Sequence, residues 1–473
     1  MAQIRLSPPA VVDVGTLSQM HETAVAILAR TGVAVHHPAV REELLRRPGF
    51  AEEAGRLRIA PERVADWLRD TRSRQSAAPG PTPEVSPRYS YAVLEYASWV
   101  VTEDGRGLRP MLRGDVVEAT KLLEVLRSRG VRPAVPGVPQ DLPPALRPVE
   151  QYLIGAEYSS AGGATQSVTD LPTALVIREM DRVCGKGFSW SVWLPNPLTF
   201  GGSTVDILWH FGHELQHVGV GSMPLMGFSG PCDPLAVTTF SLAENLGGAA
   251  IIHALLPEIP VTIFPHPQPG DMRTGTMMLG TPESELLELI RRDLLAYYGV
   301  RFNTKMMNTS ASLPDAQAQI DRMLSAVMGV VGGFDAFHAV GTLGIDEVWS
   351  SGQLLLDLEM VAAADHVARG PETAPGLELD RLPDVVDEVV RAGMSFAAHE
   401  TTAGGFRRQY VLPRVLRRMD RAQWIAAAKP DTVQEAEHEA RRLVQDYAFE
   451  PPQALLCELR SISDRGKHTL GAH

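Results

Sequence analysis

From about Gly114 onward, short apolar runs with strand character alternate with longer stretches whose apolar residues recur at helical spacing. The strand-like runs are VRPAVPGV from Val131, ATQSVTD from Ala164, FSWSVWL from Phe188, VGVGSMPLMG from Val218, PVTIFPH from Pro260, VRFNTKMM from Val300 and AFHAVGTLG from Ala336. Between them lie helix-like stretches such as LPTALVIREMDRV, LAVTTFSLAENLGGAAIIHALL, PESELLELIRRDLLAYYG and PDAQAQIDRMLSAVMGVV. Strands that each give way to a helix imply parallel pairing with crossover helices. Their number, at spacings of roughly 25 to 40 residues, predicts a closed (β/α)8 TIM-type barrel over residues 114–405 rather than a doubly wound sheet. GMSFAAH from Gly393 is the expected eighth strand. No GxGxxG or GxxxxGK[ST] follows any strand, so the phosphate cradles of nucleotide-binding sheets are missing from the sequence.

Around this core the pattern differs. Residues 13–70 read as helical, with Asp13 or Ser18 as a cap and Val25, Leu28 and Val33 on one face. Thr71 to Pro87 has linker composition, and YSYAVLEYASWV followed by EDGRG predicts a hairpin. Residues 1–113 are therefore expected to form an N-terminal helical cap, linker and hairpin, and residues 406–473 a C-terminal helical extension. Composition narrows the partners: 44 basic against 56 acidic residues leave a net charge of -12, which argues against nucleic acid. Cys184, Cys232 and Cys457 have no CxxC spacing, so neither a disulfide framework nor a cysteine zinc site is expected. The first residues lack the apolar core of a signal peptide. No run approaches the roughly 18 apolar residues that span a bilayer. A cytoplasmic protein without membrane contact is expected.

Two patterns could carry chemistry. HELQH, from His213 to His217, matches the zinc-peptidase pattern in which histidines at i and i+4 share a helix face and the glutamate polarises water. The glycine-rich run after it and the lack of a third ligand beyond mid-helix Glu244 point instead to an ordinary amphipathic barrel helix. The second pattern follows from the barrel itself, whose functional groups gather at the C-terminal ends of the strands. Those positions include Trp193, Phe228, His266, Asp271, Arg273, Asn303 and His338, a set poor in carboxylates and rich in aromatic and amide groups. Glycosidase-type carboxylate pairs and a GxSxG nucleophile elbow are absent. Indole and phenyl faces attract quaternary ammonium groups, so a cation pocket is expected, with Trp193 its best wall. Asp271 and Arg273, flanked by glycines, would shape or anchor it.

The segments MPLMGFSGPCDPLAV, PVTIF with DMRTG and GTPE, LPDAQA from Leu313, GFDAFHAVGTLG with SSGQLLLDLEM, and HETTAGGFRRQYVLPRVL resemble, in this order, the trimethylamine methyltransferase family. The likeness runs from about Met20 to Tyr447 and resembles most the members without pyrrolysine, of the glycine betaine:corrinoid methyltransferase kind. It implies a barrel that presents a methyl group of a methylated, quaternary amine to the Co(I) of a corrinoid (cobalamin) carried on a separate small protein. No catalytic residue and no metal site are then required, because an N-methyl of a quaternary amine is already an electrophile with a neutral leaving group. The enzyme supplies position, a cation pocket and exclusion of water. No pyrrolysine stands near HAVGTLG, which argues against trimethylamine as substrate. Phe228 and Cys232 replace threonines expected in one loop, and Met306 and Met307 are bulkier than expected; both changes would reshape the pocket. The alternatives are a zinc hydrolase built on HELQH and a barrel that binds a quaternary amine without catalysis. A barrel of this size is expected to form a homo-oligomer.

Overall fold

A computed structural model of the chain describes residues 10–77, 88–163, 168–300, 304–371, 377–428 and 431–471. The fold mixes α and β. Two three-stranded parallel ladders stand out among shorter parallel pairings. One joins β2 (Phe188–Leu194), β3 (Leu215–Ser222) and β4 (Val261–Pro265), with β3 in the middle. The other joins β1 (Ser90–Tyr91), β5 (Thr304–Met306) and β6 (Ala336–His338), with β6 in the middle. A parallel bridge from Tyr91 to Val131 extends the second ladder. Among the described residues no ladder links the two into a closed ring.

Helices follow the strands as the sequence pattern predicts, and their starts are written in side chains. Asp13, Asp233, Thr281, Asp315 and Ser350 each accept a backbone N–H at the first turn of α1 (Val14–Arg30), α2 (Pro234–Leu255), α3 (Pro282–Tyr297), α4 (Ala316–Val331) and α5 (Ser351–Ala368). Pro234 and Pro282 sit at the first helical position, where the missing N–H costs nothing. The outer faces of β2, β3 and β4 bury Val192, Leu194, Val218, Val220, Val261 and Ile263 in one large core. α2 packs directly on that face. A Cβ on its Gly248 would lie 2.8 Å from Val220, and one on Gly247 would lie 2.8 Å from Leu28 of α1, so the glycine pair lets both neighbours approach. By length and apolarity α2 could cross a membrane, but 83% of its most apolar 18-residue stretch is buried inside the protein, as a core helix.

Several expectations need correction. GMSFAAH is not a strand: its residues are an exposed turn and a short 3-10 helix, Phe396–Ala398, capped by Ser395. Its place beside Ala336–Phe337 is taken by β1, inside the segment predicted as a hairpin. The hairpin itself forms one step later, Trp99–Val101 against Leu108–Pro110 around EDGRG. Within the stretch read as helical, Phe50–Glu53 and Arg56–Ile59 pair antiparallel across Ala54 and Gly55, both left-handed. Most of the proposed strand ATQSVTD, and Asn303, lie outside the described residues.

Candidate functional site

Register across the first ladder determines which residues share a face. Trp193 of β2 is paired with Gly221 of β3, and Gly221 with Phe264 of β4; one layer down, Ser191, Gly219 and Thr262 are aligned in the same way. Because successive side chains alternate across a strand, these residues form the face opposite the valine-rich core face. That face is accessible: Ser189, Ser191, Trp193 and Thr262 are exposed, Trp193 by 40%. The indole lies over Gly221, where a Cβ would come within 2.8 Å of its ring. Phe264 stands at 81° to the indole with ring centroids 6.1 Å apart, so the two rings make an open aromatic corner.

Two consecutive polar residues in the middle of the mostly apolar α2 hold that corner. Glu244, buried, accepts the Leu198 N–H at 2.7 Å and the Asn196 amide at 2.6 Å, fixing the loop that leaves β2 just after Trp193. Burial raises the Glu244 pKa, against the pull of these bonds. Asn245 accepts the Phe264 N–H at 2.9 Å and donates to the Ser222 hydroxyl at 2.9 Å, tying β3 and β4 together at the level of the rings. Behind Phe264 lies a buried ionic cluster. The Arg291 guanidinium of α3 sits 4.9 Å from the Phe264 centroid, donates to Glu288 at 2.7 Å and to the Thr304 carbonyl at 3.0 Å. Lys305 donates to Glu285 at 3.0 Å. Burial works against ionisation of Glu288, but the charges of Arg291 and Lys305 overcome it and hold its pKa down to about 2.

The predicted residues fall into three groups. Trp193 is where it was expected, on the accessible face. His266 and His338 end their strands but are turned into the protein. His266 stacks on Phe264, contacts Gln268 at 2.8 Å and Glu288 at 3.5 Å, and burial pushes its pKa down to about 4. His338 contacts the Val93 carbonyl at 2.9 Å, and burial lowers its pKa too. Phe228, Asp271 and Arg273 come together as one loop unit: Phe228 covers Gly270 and Gly275, and Arg273 closes on Asp271 at 3.2 Å. Arg273 is 88% exposed and spent on that local pair, so its role is shaping the loop. No contact joins Phe228 to Trp193 among those the structure records.

HELQH does not form the expected helix. The preceding helix ends at Phe211, Gly212–Glu214 is a single 3-10 turn, and β3 begins at Leu215. His213 and His217 therefore share no helix face. His213 bonds Glu258 at 2.7 Å, Glu214 pairs with Arg178 and Arg182, and His217 contacts Thr262 at 3.0 Å. Glu244, the candidate third ligand, is engaged by Asn196 and Leu198. No cluster of three His, Cys, Asp or Glu suited to a metal occurs among the described residues.

Phe264, Asn245, Arg291 and the glycines of β3 were not among the predicted site residues, and Glu244 was named only as a possible zinc ligand. A signal for Phe264 and the glycines was present: Gly219 and Gly221 alternate in VGVGS as Thr262 and Phe264 do in VTIF, and glycine at every second position opens one face of a strand. For Glu244 and Asn245 the signal is a polar pair in the middle of an apolar helix.

The sequence model of the family described as Trimethylamine methyltransferase (MTTB) matches residues 3–467. A glycine betaine methyltransferase of Desulfitobacterium hafniense (strain Y51) is 23% identical over 477 residues, 95% of this chain and 96% of the relative. The trimethylamine methyltransferase MttB of Desulfitobacterium hafniense (strain DSM 10664 / DCB-2) is 25% identical over 254 residues, 53% of this chain and 50% of the relative. Among solved structures, the monomethylamine methyltransferase MtmB of Methanosarcina barkeri aligns over 94% of this chain and 89% of its own, at 11% identity and a TM-score of 0.47.

Proposed function

This chain belongs to the trimethylamine methyltransferase family, and we propose that it removes a methyl group from a small quaternary amine held in the Trp193–Phe264 corner and passes it to a corrinoid on a separate protein. The observation that carries this reading is the corner itself: two perpendicular rings over a glycine, on a strand face whose recorded neighbours Ser189, Ser191, Gly219, Gly221 and Thr262 bear no charge. Aromatic faces hold an ammonium, each worth on the order of 2 kcal/mol once water is excluded, and the same cavity is lined further along by the Asp181 carboxylate and Lys186. A quaternary amine also leaves as a neutral product, so the transfer asks no proton of the protein.

The chain's own part is to position. Trp193 and Phe264 would fix the nitrogen, the missing side chains of Gly219 and Gly221 would leave room beside it, and the hydroxyls of Ser191 and Thr262 one layer below would meet the polar end of the ligand. Around the same end of the strands, Met223, Phe228 and Met272 are exposed, an apolar rim that fits the approach of a flat macrocycle. The corrinoid would supply the cobalt nucleophile that accepts the methyl group. We read the two parallel ladders, with the Val131 bridge beside Tyr91, as arcs of one (β/α)8 barrel in which β1 is the first strand and β6 the last. Parallel strands in one sense, each followed by a helix, support that closure.

The test is calorimetry with glycine betaine, carnitine, proline betaine, choline and trimethylamine, followed by methyl transfer to cob(I)alamin with whichever binds. Binding of one quaternary amine and appearance of methylcobalamin are expected. Tight binding without transfer under any condition would make the chain a binding protein and overturn the catalytic half of the proposal.

A further inference from the structure

Five separate parts of the chain enclose a cavity of about 260 Å³ beside the first strand. Tyr91 ends β1, Arg129 ends a 3-10 turn, Leu126–Arg129, that left-handed Gly130 closes, and Glu359 stands midway along α5. Residues 411–415 and Glu439 of α6 (Thr432–Val444) complete the lining. Hydrogen bonds fix these parts to one another. The Tyr91 N–H donates to the Gly130 carbonyl at 2.9 Å, and the Tyr91 carbonyl accepts the Arg132 N–H at 2.7 Å. Glu359 accepts the backbone N–H groups of Arg414, Val415 and Leu416 at 2.6 to 3.0 Å. No residue of this cavity lines the one in front of Trp193.

The acids here are occupied and the cations are not. Both oxygens of Glu359 serve those three N–H groups, and Arg442 clasps Glu439 through two bonds of 2.7 Å. Among the described residues, no hydrogen bond or ion pair engages the guanidinium of Arg129 or of Arg414. The Tyr91 hydroxyl has no hydrogen bond either, although Tyr91 is only 7% exposed. Burial and then the charge of Arg414 pull the Arg129 pKa down, and they win over the opposite pull of Glu439 and Glu359. Both arginines stay ionised at neutral pH all the same. Like charges gathered at one half-buried site repel, and an anion between them turns that cost into a gain.

We propose that this cavity binds a small organic carboxylate, its head held by Arg129, Arg414 and the Tyr91 hydroxyl, its aliphatic body lying against Leu355, Leu358 and Val415. Each guanidinium presents a fork of N–H donors that matches a carboxylate, and the phenol adds a further donor. The apolar walls favour an anion with a hydrocarbon body over inorganic phosphate or sulfate, which bring no apolar surface to bury. The volume lies at the low end for small-molecule sites and so limits that body to a few carbons. The bound anion would tie residues 411–415 to β1. The site is separate from the Trp193–Phe264 corner, and the proposal holds whatever that corner binds.

Calorimetry of the full chain with hexanoate tests it. Binding of one hexanoate per chain is expected, with a melting temperature that rises as hexanoate is added. Inorganic phosphate at equal ionic strength should bind more weakly by about tenfold or more. Arg414→Gln should weaken hexanoate binding by about tenfold or more, and Arg129→Lys, which keeps the charge and loses the fork, should weaken it less than Arg129→Gln. The Arg414 side chain is exposed, so Arg414→Gln should melt like the parent when no hexanoate is present, which establishes that it folds. Trp193→Ala should bind hexanoate as the parent does. No binding to the parent, phosphate bound as tightly as hexanoate, or equal hexanoate affinity in Arg414→Gln and the parent overturns the proposal. Loss of hexanoate binding in Trp193→Ala overturns it too, because the anion would then sit in the aromatic corner.

Discussion

The two parallel ladders treat polarity in opposite ways. On the β2–β3–β4 ladder the face away from the core is accessible, and its own strands furnish it with serines, glycines, Trp193 and Phe264. Beneath the β5–β6 ladder, Glu285, Glu288, Arg291 and Lys305 are all buried, with Ser325 donating to Glu285 at 2.6 Å. This four-residue ionic cluster thus lies behind the aromatic wall, while Asp181 and Lys186 line the cavity in front of Trp193. Buried ion pairs are costly to build and costlier to break, so they make rigid supports. Arg291 is where the two regions meet, since it holds Glu288 and lies against the Phe264 ring.

Removing that link gives the largest expected effect. Arg291→Leu leaves Glu288 buried without its nearest cation and should cost about 3 to 5 kcal/mol in unfolding free energy, measured by urea titration. Adding Glu288→Gln should restore part of the loss, because the uncompensated charge is then gone. If Arg291→Leu unfolded at the parent urea concentration, the cluster would not be a support at all.

A smaller effect comes from pH. Burial holds His266 to a pKa of about 4, against 6.5 for the free side chain, so between those values the unfolded chain binds the proton and the folded chain does not. Stability is therefore full above pH 6.5 and falls as pH drops toward 4, by about 3 kcal/mol for this group. Glu288, held down to about 2, adds to the loss below its ordinary value of 4.5. Thermal melts from pH 7 to 4 should show the decline, and His266→Asn should flatten its upper part. A decline of equal size in that variant would assign it to other groups.

How much of this was legible in the sequence depends on whether the signal was local. Trp193 was found because it ends a clear strand, and the caps at Asp233, Thr281, Asp315 and Ser350 stand next to the helices they start. Phe264 was missed because its partnership with Trp193 passes through Gly221, and a register across three strands is not written in any one of them. β1 was missed for the same reason, having two residues and a partner 246 positions away. GMSFAAH failed on the reverse ground: its local β character had no partner strand, and the chain there is exposed. His266 and His338 were correctly placed at strand ends. Their burial depends on Glu288, Gln268 and Val93, which come from elsewhere in the chain.

On the accessible face the expected change is in binding more than in stability. Trp193 is 40% exposed, so Trp193→Ala removes one wall of the corner without opening a sealed core. Affinity for a quaternary amine should fall by about 2 kcal/mol, roughly thirtyfold, with a small change in melting temperature. Trp193→Phe should retain much of the affinity, since a phenyl face still attracts the cation. Equal affinity in Trp193→Ala and the parent would place the ligand elsewhere.

The smallest effect belongs to the motif that looked most chemical. His213 lies 83% exposed, its one recorded partner is Glu258, and the strand that begins at Leu215 carries His217 into a contact with Thr262. Exposed pairs of this kind contribute little. His213→Ala should leave the melting temperature within about 1 °C of the parent and the methyl transfer unchanged, with or without a chelator. A chelator-sensitive activity lost in His213→Ala would instead require these residues to converge on a metal, and hence Leu215–His217 to leave the ladder that aligns Trp193 with Phe264. The same measurement therefore tests the aromatic corner, because β3 cannot supply a helical metal face and hold Gly221 beneath the indole at once.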